Sequence, residues 1–413
     1  PKVPQDREFF VYGRASTPGP RTEHPVASGQ SWMDDTAMTS PQTQPDPGSE
    51  TRDENPSATP VGTITSLPIY GLDELFVAYG FKVRTAFGLP QRPVHAYRTV
   101  QTFACHVATS FLEVIERQGL PEGDGVFVPG ACDTLNNLAD ILAWTPAGRE
   151  LDPGARRFIG YLDFPEPDAR GAEAFLRAEI ARVKGRLLEH YGLVEDREAE
   201  AACLRAYAAG HEAIRALYAR RRRGETRISA EAFADFLREE PSLARADLPE
   251  RIARLEALPG APGATDSTRP SLFVSGITLP APLAAALDAM GFLVVDDDLA
   301  QGYRRFSGAY PDAGLSLEEA LTTKFLSLGP FSTTSRGPGV RAPWIAARVR
   351  ESGARGFVYL RYPWCEPEAF DAPPMLAAVR ALGVPVTEIT LNPEKPAEAA
   401  TITRFEAFHE QLT

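Results

Sequence analysis

The stretch Gly125-Val126-Phe127-Val128-Pro129-Gly130-Ala131-Cys132-Asp133-Thr134 decides how this chain folds. Val126 to Val128 form a short apolar run of the kind that a strand covered on both faces requires, and Pro129-Gly130 ends it. Helical spacing follows over Leu135–Trp144, and a second short strand reads at Phe158–Leu162. Strand, helix and strand in that order predict a parallel sheet with crossover helices.

Upstream, Val61–Pro68 reads as a strand and turn, and Leu72–Tyr79 as a short helix with Glu74 near its start. His106–Glu116 carries Val107, Phe111, Val114 and Ile115 at helical spacing. Downstream, residues 172–258 are dominated by Ala, Leu, Glu and Arg, strong helix formers, with no strand signal. A second α/β unit follows. Its strands are expected at Leu272–Val274, Phe292–Val295, Gly356–Leu360 and Val384–Leu391. Its helices are expected at Pro282–Met290, Leu317–Leu328, Trp344–Ser352, Pro374–Leu382 and Thr401–Leu412. The division is therefore a tail at 1–60, an α/β domain at 61–168, a helical insert at 169–265 and a second α/β domain at 266–413. The tail is rich in Pro, Ser, Thr, Gln and acids without apolar periodicity, which predicts disorder.

The chain of 413 residues is 43% apolar and 24% charged, the balance of a soluble globular protein. Its net charge of −12 argues against a nucleic-acid partner, which calls for a basic face. No apolar run is long enough to span a membrane, and no secretory signal is visible. Four cysteines are too few for a disulfide framework, so reduced thiols and a cytoplasmic location are expected.

Three of those cysteines stand where ligands gather in α/β sheets. Cys132 follows the strand ending at Pro129, Cys365 follows the strand ending at Leu360, and Cys105 immediately precedes a helix. A helix N-terminus favours the thiolate that a metal requires. Cys203 lies mid-helix and reads as structural. No C-x-x-C pair is present, so the familiar zinc and ferredoxin spacings are missing. On spacing alone, all four also read as small apolar core residues.

In order, several segments resemble the 2-hydroxyacyl-CoA dehydratase and benzoyl-CoA reductase family of iron–sulfur subunits. They are Pro68-Ile69-Tyr70-Gly71-Leu72-Asp73-Glu74-Leu75, Cys105 with its helix, and Pro129–Thr134. Then come Gly291–Leu299 with Gly302 and Arg304, Tyr362-Pro363-Trp364-Cys365-Glu366-Pro367, and Gly383-Val384-Pro385-Val386 with Arg404–Phe408. Together they cover residues 61–413. The resemblance implies one [4Fe–4S] cluster held by Cys105, Cys132 and Cys365, with the fourth iron left open by the protein. It fits two flavodoxin-like parallel-sheet domains with the cluster between them. Some relatives carry extra cysteines for a double-cubane cluster. Ser327–Ser332 holds none, and four cysteines cannot supply six ligands.

The resemblance further implies radical chemistry on an acyl-CoA thioester. In a dehydratase, one electron makes a ketyl radical anion that expels the 2-hydroxyl. In a benzoyl-CoA reductase, the electron enters an aromatic ring. A non-catalytic electron-transfer or interaction protein on the same fold is the third reading. A homologous second subunit and a separate ATP-hydrolysing iron–sulfur activator are the expected partners, since this sequence has no G-x-x-x-x-G-K-[ST] loop. Glu74 is a candidate proton acceptor and also reads as a helix N-terminal acid opposing the dipole. His106, beside Cys105, is a candidate proton relay and also reads as a solvated or structurally bonded histidine. Trp364 reads either as a shield against water or as core. Asp296-Asp297-Asp298 reads either as ligands for a hard metal or, as three acids at a strand end, as a helix-entry and turn cluster. Arg220–Arg223 suits either coenzyme A phosphates or the C-terminal end of a helix.

Overall fold

The computed structural model describes residues 60–86, 92–119, 124–144, 157–260, 269–311, 314–333, 338–392 and 394–413. The tail expected at 1–60 lies, apart from Pro60, outside the described residues.

All six residues of Gly125–Gly130 are buried, as the opening stretch predicts for a central strand. In chain order the first part runs β1 (Gly62–Ser66), α1 (Asp73–Ala78), β2 (Phe81–Thr85), α2 (His106–Gln118), β3 (Gly125–Gly130), α3 (Asp133–Trp144) and β4 (Phe158–Asp163). These strands form a parallel sheet in the order β2-β1-β3-β4. Strand β2 was not foreseen. Phe81 and Val83 are its buried positions, with the exposed Lys82 between them, the alternation of a strand at a sheet edge.

Four helices follow: α4 (Ala172–Tyr191), α5 (Arg197–Arg222), α6 (Ala230–Glu239) and α7 (Leu248–Ala257). The second α/β part contains β5 (Ser271–Gly276), α8 (Ala281–Ala289), β6 (Leu293–Leu299), α9 (Tyr303–Phe306) and α10 (Leu317–Leu326). It ends with α11 (Pro338–Ser352), β7 (Gly356–Arg361), α12 (Glu366–Arg380), β8 (Val386–Thr390) and α13 (Ala399–Leu412). Its parallel sheet has the order β6-β5-β7-β8, so both sheets share one winding. That order is the first four positions of the flavodoxin-like arrangement. Gly276 ends β5 at φ +145, where a Cβ would stand 2.5 Å from the Leu360 carbonyl oxygen, so only glycine fits beside β7.

Helix α4 packs on β4 and α10, and α5 packs on α1, α9, α10 and β6. The helical stretch therefore touches both sheets. One buried apolar cluster runs from Ile64 and Phe127 through Phe325 to Val274 and Val358. Among the described residues no helix is long and apolar enough to cross a membrane.

Asp296, Asp297 and Asp298 correct the turn reading. They lie inside β6 and are fully or almost fully buried. Burial demands partners for such groups. Asp296 pairs with Arg348 at 2.8 Å and Arg222 at 3.4 Å. Asp297 accepts from the Tyr218 hydroxyl at 2.8 Å. Asp298 takes Arg304 at 2.8 Å and Arg341 at 3.0 Å. Arg304 continues to Glu368 at 2.9 Å, and Arg341 to Asp371 at 3.1 Å.

Burial alone would raise the Glu368 carboxyl, but Arg341 and Arg304, with Ser332, hold it down to about 2, against an ordinary value of 4.5. A depressed carboxyl stabilises the fold above its unfolded pKa and loses that contribution as pH falls toward its folded value. Chemical denaturation should therefore show a loss of about 2 kcal/mol from this group between pH 5.5 and pH 3. The Glu368→Gln profile should lack that component, and a profile parallel to wild type across the window would refute the assignment.

Candidate functional site

The three cysteines open three helices. Cys105 caps α2, with the Thr109 N–H donating to its carbonyl at 3.0 Å. Cys132 precedes α3, where the Asn136 N–H donates to its carbonyl at 2.8 Å. Cys365 caps α12, where the Ala369 N–H donates at 3.1 Å. Cys132 and Cys365 follow β3 and β7, the equivalent strands of the two sheets, at the point where strand order reverses. Open α/β sheets collect ligands at that place.

The fold brings these thiols together from opposite ends of the chain. The neighbouring Cys365 thiol pulls the Cys105 thiol down to about 7 against the opposing effect of burial. The Val107 and Ala108 N–H groups add to this. The neighbouring Cys105, together with burial, drives the Cys365 thiol upward. Burial raises the Cys132 thiol, and the charge on Cys105 raises it further, while the Leu135 and Thr134 N–H groups pull it down. In each case N–H groups of a helix's first turn aim at sulfur and favour the anion.

Among the described residues, no three His, Cys, Asp or Glu side chains close around one point as a single metal ion demands. A cluster that attaches each thiolate to a different iron needs a wider spread of sulfurs. Three thiols, half-buried or buried, with helix N-termini behind them are a donor set suited to such a group.

His106 is buried, and its Nε2 lies 3.0 Å from Ser110 Oγ. Burial lowers its pKa to about 4, so the ring is neutral at pH 7. Trp364 is not core. It is 62% exposed, holds φ at +61, and meets Phe103, itself 60% exposed, edge-on at 6.4 Å. The two rings join the Cys105 and Cys365 segments at the protein surface. Space beside Gly130 is taken by the Tyr161 ring, whose hydroxyl a Cβ there would meet at 2.4 Å.

Glu74 belongs to a separate group. It is fully buried in α1, and its Oε1 accepts from both Lys324 and Tyr310. Its Oε2 is buried and accepts no hydrogen bond. Neither donor was foreseen, since 236 and 250 residues separate them from Glu74. Cys203 touches this group, with Sγ donating to the Glu74 carbonyl at 3.3 Å.

Arg220 to Arg223 are each engaged by groups of the protein itself. Arg220 binds Glu256 at 2.9 Å, and Arg221 donates to the Val294 carbonyl at 2.6 Å while lying 3.5 Å over the Phe233 ring. Arg222 pairs with Asp296, and Arg223 with Glu225. This is the helix-end reading, and nothing here favours the phosphate reading.

The sequence matches the family model described as 2-hydroxyglutaryl-CoA dehydratase, D-component, over residues 68–412. It is 24% identical over 355 residues to (R)-2-hydroxyglutaryl-CoA dehydratase, subunit beta, from Acidaminococcus fermentans, a match covering 84% of this chain and 92% of that one. It is also 24% identical over 371 residues to lactoyl-CoA dehydratase subunit beta from Anaerotignum propionicum, covering 87% and 94%.

Proposed function

The chain belongs to the 2-hydroxyglutaryl-CoA dehydratase D-component family, and from that premise we propose that it is the iron–sulfur subunit of a 2-hydroxyacyl-CoA dehydratase. In this reading Cys105, Cys132 and Cys365 hold one [4Fe–4S] cluster. The supporting observation is the meeting of these three thiols at three helix N-termini. Such a cluster, when bound, supplies one electron at low potential and an iron position open to an oxygen ligand.

The chain's own residues do the rest. Helices α2, α3 and α12 direct their first-turn N–H groups at the sulfurs, which stabilises the thiolates and whatever negative charge they carry. Net elimination of water takes the hydroxyl from C2 of the acyl group and a proton from C3. Glu74 Oε2 is the acceptor for that proton. Lys324 and Tyr310 fix the other oxygen and so set the direction in which Oε2 points. His106, neutral and bonded to Ser110, serves as a wall beside Cys105. Tyr362, buried and stacked on His106 at 6.3 Å, helps exclude water there.

A homologous partner subunit completes the enzyme, in keeping with relatives that are themselves beta subunits. The electron comes from a separate ATP-hydrolysing activator. No observation favours benzoyl-CoA reduction or a non-catalytic role. Anaerobic purification with iron and sulfide analysis tests the assignment. About four irons per chain are expected, and zinc or no metal after anaerobic reconstitution would overturn it.

A further inference from the structure

We propose that Tyr362 donates its hydroxyl to the Cys105 sulfur and so raises the potential at which the iron–sulfur group takes its electron. This rests on the iron–sulfur reading above and adds a residue beyond the three ligands. Both ligand segments fix the Tyr362 ring. On one side it belongs to the turn that leads into Cys365, whose N–H donates to the Tyr362 carbonyl at 3.4 Å. On the other it stacks on His106, the residue after Cys105, with ring centroids 6.3 Å apart and planes 25° apart. His106 is itself held by Ser110 at 3.0 Å. Tyr362 is 3% exposed and lies in one apolar cluster with Ile277, Leu279 and Cys365.

Packing alone would be met by phenylalanine. A phenol hydroxyl in apolar surroundings costs stability unless its donor and acceptor positions are used. Burial pushes the Tyr362 hydroxyl well above its ordinary value, the Thr278 side chain pulls it down, and the charge on Cys105 pushes it further up. Thr278 is buried two residues beyond the end of β5, at the rim where the thiols gather. Its effect on Tyr362 is that of a hydroxyl donating to the phenolic oxygen, which favours the ionised form. A phenol has one O–H to give. With Thr278 donating to the oxygen, that O–H goes to the other polar neighbour, the Cys105 sulfur. Hydrogen bonds to the sulfurs of an iron–sulfur group stabilise its more negative, reduced state and raise its potential. The first-turn N–H groups act on the thiolates in the same sense, and Tyr362 adds a side-chain donor to one of the three.

Redox titration of the anaerobically reconstituted full chain, followed by EPR, reads this without turnover. Tyr362→Phe keeps the ring and its stack and removes the donor. It should shift the reduction equilibrium about tenfold toward the oxidised state, about 59 mV lower for one electron. Thr278→Val, which lets the phenol turn away, should shift it in the same direction by less. The double variant should match Tyr362→Phe alone, since both changes act through one hydrogen bond. Tyr79→Phe, which removes a hydroxyl bonded to Glu200 at 2.6 Å, should leave the potential where it is. A shift below twofold in Tyr362→Phe at full iron content, an upward shift, or an equal shift in Tyr79→Phe overturns the proposal and leaves the iron–sulfur reading standing. Loss of iron in Tyr362→Phe alone also overturns it, because the residue then holds the group rather than tuning it. A wild-type chain without iron removes the iron–sulfur reading, and this proposal with it.

Discussion

Replacing Cys105, Cys132 or Cys365 singly by serine is expected to abolish the reduced-cluster EPR signal and the dehydratase activity, whereas Cys203→Ser keeps both. The asymmetry follows from where the sulfurs lie. The first three stand at helix N-termini, with Cys105 in electrostatic reach of both Cys365 and Cys132. A cluster on three protein thiolates has no spare ligand, so loss of one leaves two irons without a protein donor. Cys203 instead donates to the Glu74 carbonyl of α1, a bond that a serine hydroxyl can also make. Iron and sulfide content should follow the EPR signal. Thermal unfolding of the metal-free chains separates ligand loss from misfolding, because each substitution exchanges one small side chain for another, at half-buried Cys105 and Cys132 and at buried Cys365. Retention of iron in all three variants and its loss in Cys203→Ser would reverse the assignment.

The sheets were legible because each central strand is a short apolar run stopped by glycine or proline, as at Val126–Gly130 and Phe357–Leu360. The cysteine positions were legible for a related reason, since in a parallel sheet the residue after a strand faces the ligand rim. Their meeting was not, because 260 residues separate Cys105 from Cys365 and spacing carries no distance; only the family resemblance suggested it. Asp296–Asp298 misled because three acids in a row at a strand end read as a turn and helix entry. Their compensating charges, Arg222, Arg304, Arg341 and Arg348, lie on three other helices and meet them only in the fold. Helix α12 starts eight residues before the expected Pro374, at Glu366, because Pro373-Pro374 inside it hide its first two turns. Lys324 and Tyr310 carried no local signal at all. A lysine on an amphipathic helix ordinarily faces water, and only the fold turns this one onto Glu74.

Glu74→Gln is expected to lower kcat by about a hundredfold to ten-thousandfold, the usual worth of a positioned general base, with iron content unchanged. Glutamine keeps the shape and still accepts from Lys324 and Tyr310, but its remaining amide end cannot take a proton. A buried carboxylate oxygen without a hydrogen bond costs stability unless something is gained from leaving it bare. Catalysis is such a gain, because an acceptor already bonded would have to break that bond before taking the C3 proton. Tyr310→Phe removes one of two donors to Oε1 and leaves Lys324, so it should cost less than Glu74→Gln and act through orientation. A thioester deuterated at C3 provides a readout that a purely structural role would not move. Proton removal becomes the slow step when its acceptor is lost, so the deuterium isotope effect on kcat should grow in Glu74→Gln. A variant that keeps both its rate within a few-fold and its isotope effect would leave Glu74 as a structural partner of Lys324 and place the base elsewhere.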